Sequence, residues 1–474
     1  MASEQIVNVK GTHDIIDREA NGFAYIENVI KQIAELFAFK EIRPPVLEYS
    51  PLFIRGVGDA SDIVRKEMYT FLDKGNRSVT LRPEFTAGIM RVIVQNKLYV
   101  NNELPLKYYY LGPVFRYERP QLGRYRQFNQ FGVESVGNDS PYSDIDVIIL
   151  AYTILQSLNL ENVVIKINTL GDEESRLNYK NALKEYFAKY IDNMCEDCKS
   201  RFMLNPLRIL DCKVPADQEI VKGAPKISDY LTENAKNRFN LILNTLEEME
   251  IPYAVDDTLV RGLDYYSDVV FEFHYTSKKG NNYGAVGAGG HYAHLVKEVG
   301  GPDLPGVGFS FGIERLYNVL NDDDLLPPDI ETPLPFYIMP LGDIAKNKAL
   351  AIATNLRMAG YPTDMCFDNV KMANMFKRAE KKKALYAIIL GENEVNNGEI
   401  IIKDLTSKEQ ISVKDEEFMA NIDNLFAHEG CECEEHEHGC CCGAHEHADE
   451  CCCGGQKENE GEEHKCCCHH HKGE

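Results

Sequence analysis

The sequence predicts an α+β body with a helical insertion, then a C-terminal α/β domain and a polar tail. Three observations carry that prediction. Strand-like, aromatic-rich runs lie on both sides of a charged stretch of helical period, residues 172–250. A Pro-rich stretch, Leu326-Pro327-Pro328 to Pro335, separates that body from strands alternating with helices. After Phe426 no apolar periodicity survives. The chain so divides into 1–171, 172–250, 251–326, 333–425 and 427–474.

From Asn21 to Phe39 apolar residues recur at helical spacing (Ile26, Val29, Ile30, Ile33, Leu36, Phe37), and Pro44-Pro45 forces an extended exit. Val79–Leu81 and Lys107–Leu111 read as strands. The insertion carries LNYKNALKEYFAKYIDNM and NRFNLILNTLEEME, and strand-like, glycine-punctuated sequence resumes at Val260. Beyond the Pro-rich stretch come a strand at Phe336–Met339, helices at Ile344–Met358 and Met372–Leu385, and strands at Tyr386–Leu390 and Ile400–Ile402.

Composition excludes several classes. The 474 residues are 44% hydrophobic and 26% charged, a globular balance rather than a disordered or collagen-like one. No apolar run approaches the ~18–20 residues of a membrane span, and the start lacks the apolar core of a signal peptide, so a cytoplasmic protein without membrane attachment is expected. A net charge of −23 argues against coating nucleic acid, though not against a local basic groove. Eleven of 15 Cys and nine of 13 His fall in residues 427–474, with thirteen acids against three Lys. Phosphate-binding glycine loops are missing: GAVGAGG and GVGFSFG fail the dinucleotide spacing, and no P-loop occurs.

Arginines set among acids and aromatics stand out: Phe115-Arg116-Tyr117-Glu118-Arg119 with Gly123-Arg124-Tyr125-Arg126, then Arg261-Gly262-Leu263-Asp264-Tyr265-Tyr266, then Phe311-Gly312-Ile313-Glu314-Arg315. Guanidinium groups stay charged when partly buried and match phosphate oxygens bidentately, so three such groups could converge on one polyphosphate.

With these residues the chain resembles the histidyl-tRNA synthetase family of class II aminoacyl-tRNA synthetases, over roughly residues 5 to 425. The helix with Arg43-Pro44-Pro45-Val46-Leu47-Glu48 is similar to motif 1, Tyr110–Pro120 continuing to Phe128 to motif 2, and Gly306–Arg315 to motif 3. Leu259–Tyr266 is similar to the family's histidine-specific motif. The resemblance implies a six- to seven-stranded antiparallel sheet flanked by helices, an anticodon-binding domain at 333–425, and a homodimer formed through motif 1. It implies ATP-dependent joining of L-histidine to its tRNA through a histidyl-adenylate, with Mg²⁺. Arg116 would hold the ATP α-phosphate, Arg315 the γ-phosphate and Arg124 the outer phosphates, with Glu118 toward adenine and ribose. Arg261 would serve as a catalytic, protein-borne cation. Glu134 and Tyr266 would read the imidazole, Tyr292 would line that pocket, and Glu84, Thr86 and Gln130 would receive the α-amino group. Lys377, Arg378, Lys381 and Lys382 would meet tRNA phosphates. The chain departs from the family pattern at His291 and Ala293, where Arg and Asp are common, at Phe85 for Gly and at Asn129 for His.

Two cysteine groups remain. Cys195, Cys198 and Cys212 have zinc-like pair spacing but no fourth ligand evident in sequence, so buried thiols are the expectation and a zinc site the alternative. In the tail, Cys431, Cys433, Cys440, Cys441, Cys442, Cys451, Cys452, Cys453, Cys466, Cys467 and Cys468 offer thiolates to zinc or another soft metal. Too polar to bury a core, this tail is expected to be disordered without metal.

Overall fold

The structure, a computed structural model, describes residues 6–58, 61–119 and 123–420, and the eleven tail cysteines lie outside them. Two compact units divide at Glu331 and Thr332. The first unit supplies eleven strands: β1 (Lys40–Glu41), β2 (Leu47–Tyr49), β3 (Tyr69–Leu72), β4 (Ser78–Leu81), β5 (Leu106–Phe115), β6 (Gln127–Val136), β7 (Val163–Thr169), β8 (Tyr253–Val255), β9 (Ser267–Thr276), β10 (Asn282–Tyr292) and β11 (Gly306–Gly312). Eight form one sheet in the order β1-β5-β6-β11-β10-β9-β7-β8, while β2, β4 and β3 form a small antiparallel one. The six central strands pair antiparallel. The short edge strands β1 and β8 add in parallel, which makes eight strands where the resemblance implies six or seven.

Alternation along each strand gives the sheet two unlike faces. On one face Tyr109, Phe131, Val133, Phe271, Phe273, Phe309 and Phe311 pack against the helices Asp17–Leu36, Pro141–Ser157 and Glu233–Glu248. These helices begin where sequence favours a start. Ser140 accepts from Tyr142 N ahead of Pro141, and Thr232 accepts from Ala235 N. Ile26 and Ile30, both fully buried, each contribute about 1.5–3 kcal/mol by leaving water. The first helix runs Asp17–Leu36 rather than to Phe39, because Ala38 adopts φ +62°. The opposite face carries Tyr110, Val114, Tyr266, Val270 and Tyr292, packed with Ile89, Met90 and Ile93, and is half-exposed elsewhere, at Glu272, Ser310 and Gly312. That opening positions the site.

The second unit contains β12 (Leu334–Pro340), β13 (Thr363–Met365), β14 (Ala384–Leu390), β15 (Glu399–Asp404) and β16 (Gln410–Lys414), ordered β13-β12-β14-β15-β16. β12 pairs parallel with β13 and β14, and the other pairs are antiparallel. Here the sequence-based helix Met372–Leu385 needs correction. It stops at Lys381, and Lys383 at φ +53° reverses the chain so that Ala384 and Leu385 open β14. Leucine and alanine suit either state, and pairing with β12 decides between them. Among the described residues no helix is long and apolar enough to cross a membrane.

Candidate active site

Glu134 lies on the uncovered face of β6 and is 1% exposed. Its Oε1 accepts from Thr86 Oγ1 at 2.7 Å and its Oε2 from Tyr292 Oη at 2.7 Å. Burial pushes its carboxyl up to about 8 despite those donors. The room it occupies exists because β11 places Gly308 directly opposite. A Cβ on Gly308 would sit 2.2 Å from Glu134 Oε2 and 2.4 Å from Val133 O. Gly290 makes room in the same way for the Tyr266 ring, which a Cβ there would approach to 2.9 Å.

Glu84 and Thr86 enter at the start of the helix Thr86–Gln95. The Glu84 carboxylate accepts from Thr86 N at 2.6 Å and Ala87 N at 3.0 Å, and burial raises its pKa against those bonds. Gln130, one alternation from Gly132 and two from Glu134, donates to Ser310 Oγ at 2.8 Å. Its buried Oε1 has no partner among the described residues, so it is an acceptor free for a donor. Tyr265 packs on Tyr266 and edge-on to Tyr292, completing an aromatic wall.

Arginines gather beside this slot. Arg116 is anchored by donation to Pro83 O at 2.8 Å and lies over the Phe128 ring. Glu118 stands between Arg116 and Arg124, at 4.0 and 3.9 Å. Arg315 donates to Ala285 O. Its guanidinium is held below the ordinary arginine range by burial first and by the nearby charge of Arg124 next. Glu118, Glu272 and Arg116 act on it as well, so groups about 200 residues apart in sequence share one field. Arg261 donates to Glu272 Oε1 at 2.6 Å, lies near the Tyr266 ring, and keeps a buried Nε without a partner among the described residues.

Three substituted positions do not block the slot. His291 follows Gly290 on β10, so its side chain passes to the helix-covered face. There it sits 2.9 Å from Asp144 and 3.4 Å from Arg238. Burial lowers its pKa but Asp144 and Asp268 outweigh that, for a net rise. Phe85 stacks on Tyr110 with centroids 4.3 Å apart, and Arg82 covers its other side at 3.8 Å. Asn129 donates its backbone N–H to both oxygens of Glu314, whose carboxyl burial lifts to about 7.

Sequence alone gives no role to Glu272, Tyr265 or Ser310. The run Phe271-Glu272-Phe273-His274 alternates strictly, and that period is the signal that places Glu272 on the open face. In the second unit, Arg378 pairs with Asp368 at 2.8 Å and Lys382 with Asp364 at 2.7 Å, whereas Lys377 and Lys381 are exposed.

An antiparallel platform with clustered arginines next to a walled carboxylate defines a class II aminoacyl-tRNA synthetase. Comparison narrows the class. Residues 11–316 match the family model for histidyl-tRNA synthetase, and residues 336–425 the anticodon binding domain. The histidine–tRNA ligase of Bacillus subtilis is 43% identical over 413 residues, 86% of this chain and 96% of the relative. That of Ligilactobacillus salivarius is 43% identical over 421 residues, 88% and 96% of the two chains. The crystal structure of apo Staphylococcus aureus histidyl-tRNA synthetase superposes with a TM-score of 0.75 at 34% identity, covering 88% of this chain and 99% of that one. The chain belongs to the histidyl-tRNA synthetase family and is an aminoacyl-tRNA ligase.

Proposed function

We propose that the first unit condenses L-histidine with ATP to histidyl-adenylate and pyrophosphate, then transfers the histidyl group to the terminal ribose of its tRNA, releasing AMP. One observation carries the substrate choice: a buried carboxylate, Glu134, is held by two hydroxyl donors and retains lone pairs for a ring N–H. Tyr266 and Tyr292 wall the imidazole, while Gln130 Oε1 and Glu84 accept from the α-amino group. The histidine carboxylate attacks the α-phosphorus and the bond to pyrophosphate breaks. Arg116 and Arg261 would meet the charge that builds there, and Arg124 and Arg315 would hold the departing phosphates. Fixed cations of this kind need no reorganisation during the step.

Mg²⁺ would arrive with ATP, held by its phosphates. Glu118 is ion-paired with Arg116 and Arg124 at 4.0 and 3.9 Å, so its carboxylate already faces the protein's own cations and it would lie toward adenine and ribose. The ion would supply neutralisation of phosphate charge.

Residues 1–171 and 251–326 would carry activation, 172–250 would form an insertion, and 333–425 would read the tRNA. Exposed Lys377 and Lys381 are better placed for phosphates than the internally paired Arg378 and Lys382. A homodimer through motif 1 is supported by the apolar side chains of Leu47, Tyr49, Phe71 and Leu72, each about half exposed or more on the small sheet. The tail at 427–474 would be a metal-binding accessory, and the protein cytoplasmic.

Histidine-dependent pyrophosphate–ATP exchange followed by charging of histidine tRNA tests the reading. Exchange driven equally by other amino acids, or none with histidine, overturns it.

A further inference from the structure

Three of the four cysteines among the described residues lie together in the insertion, away from the slot and unused by the chemistry above. Cys195 caps the helix Glu196–Leu204, Cys198 lies in that helix's first turn, and Cys212 ends the 3-10 turn Pro206–Asp211. The helix Pro215–Val221 then brings in Asp217, a residue with no counterpart in the cysteine spacing that sequence displays. One atom from each of the four falls within 4.8 Å of every other. Cys195 Sγ and Cys212 Sγ are 3.9 Å apart, and Cys212 Sγ is 3.3 Å from Asp217 Oδ2. A tetrahedral zinc ion separates sulfur ligands by about 3.8 Å, and sulfur from oxygen by about 3.5 Å, given its bond lengths.

We propose that Cys195, Cys198, Cys212 and Asp217 form a closed, four-ligand structural zinc site that staples the insertion.

The surroundings are built for thiolates. Cys198 N–H points at Cys195 Sγ at 3.4 Å and Val214 N–H at Cys212 Sγ at 3.5 Å, while Cys195 N–H donates to Asp217 Oδ2 at 3.1 Å. Backbone N–H groups aimed at two sulfurs and the carboxylate offset the negative charge that deprotonated ligands bring, and the thiol protons leave to solvent on binding. Cys198 is fully buried, Cys212 5% and Asp217 2% exposed, and Cys195 is half-buried; with four protein ligands a tetrahedral ion has no open position for substrate. Three sulfurs disfavour Mg²⁺ and Ca²⁺, and the carboxylate makes the set suit zinc better than copper(I).

A staple has work to do here. The insertion's own core is small, centred on Tyr179, Leu183, Phe187, Leu207 and Ile209. From it Asp197 reaches Lys66, Arg201 and Arg208 reach Asp62, and Asn205 donates to Asp264 at 2.8 Å. Asp264 lies three residues beyond Arg261, so the stapled turns buttress the loop carrying that arginine.

Zinc content by plasma mass spectrometry, on full-length protein purified under reducing conditions, tests the proposal. The Cys212→Ala/Asp217→Ala double variant should hold about one equivalent less zinc per chain than the wild type, on an identical tail background. Equal zinc in the two proteins overturns the proposal, as does a Cys195–Cys212 disulfide in the wild type. If the variant fails to fold, cobalt(II) spectra of a wild-type chain ending at Phe426 decide. This chain spans the described residues and both family matches. It should bind about one cobalt with tetrahedral ligand-field bands and thiolate charge transfer. Absence of those bands overturns the site.

Discussion

Replacing Glu134 by glutamine keeps the shape of the slot and removes its charge. In the wild type both oxygens accept hydroxyl donors at 2.7 Å, so one hydroxyl must turn away from the new amide nitrogen. The bound imidazole loses a charge-assisted hydrogen bond for a neutral one, a difference of about 1–1.5 kcal/mol, or roughly 5- to 13-fold. The loss should fall on the KM for histidine in pyrophosphate exchange, with the KM for ATP unchanged, since Glu134 contacts no arginine of the phosphate group. The pH profile adds a signature. Because burial raises the wild-type carboxyl to about 8, kcat/KM for histidine should climb as pH rises through that value, above the range where free imidazole titrates. Glu134→Gln should lack this limb. Stability moves in the opposite sense. Between 4.5 and about 8 the folded protein holds a proton that the unfolded chain has released, so wild-type stability falls as pH rises through that window. The variant's melting temperature should not show that decline. A histidine KM within about threefold of wild type, with an unaltered pH limb, would refute the assignment of Glu134 as the imidazole acceptor.

Other expectations follow from the same geometry. Arg261→Ala should cut pyrophosphate exchange by about 10²- to 10³-fold, and Arg261→Lys should recover little because one ammonium cannot hold Glu272 Oε1 and still offer a guanidinium's remaining donors to phosphate. Gly308→Ala should abolish saturable histidine binding and lower the melting temperature, since its methyl group would meet a backbone carbonyl as well as Glu134; calorimetric titration with histidine checks it. Ile388→Ala, in the buried centre of β14, should cost about 2–5 kcal/mol in denaturant unfolding of the second unit while leaving pyrophosphate exchange intact. A chain ending at Phe426 should charge tRNA with unchanged kcat/KM; a drop beyond about tenfold would give the tail a part in catalysis.

Much of the site is readable in the sequence because short motifs carry it. Arg116, Glu118, Arg124 and Arg315 stand in ordered runs, and their side chains do share one electrostatic neighbourhood. The sheet's period places Gln130 and Glu134 on one face of β6. Helix ends shift by a few residues where local preference and strand pairing disagree, as at Ala384. What stays hidden depends on distance in space. Glu272 is joined to Arg261 across eleven residues, and Asp217 reaches the cysteines through the turn of a separate helix. Aspartate at that spacing is unremarkable in a sequence with 74 acidic residues, so no pattern announces it.

Residues 291 and 292 are adjacent in the chain yet answer to different masters. Tyr292 is held by Glu134 on one side of the sheet, whereas the side chain before it meets Asp144, Asp139 and Arg238 on the other. An arginine at 291 would bring a second permanent cation beside the guanidinium of Arg238, with Asp144, Asp139 and Asp268 left to balance both. A change at 291 on β10 is therefore felt behind the sheet, by Asp144 and Arg238, and not at Glu134.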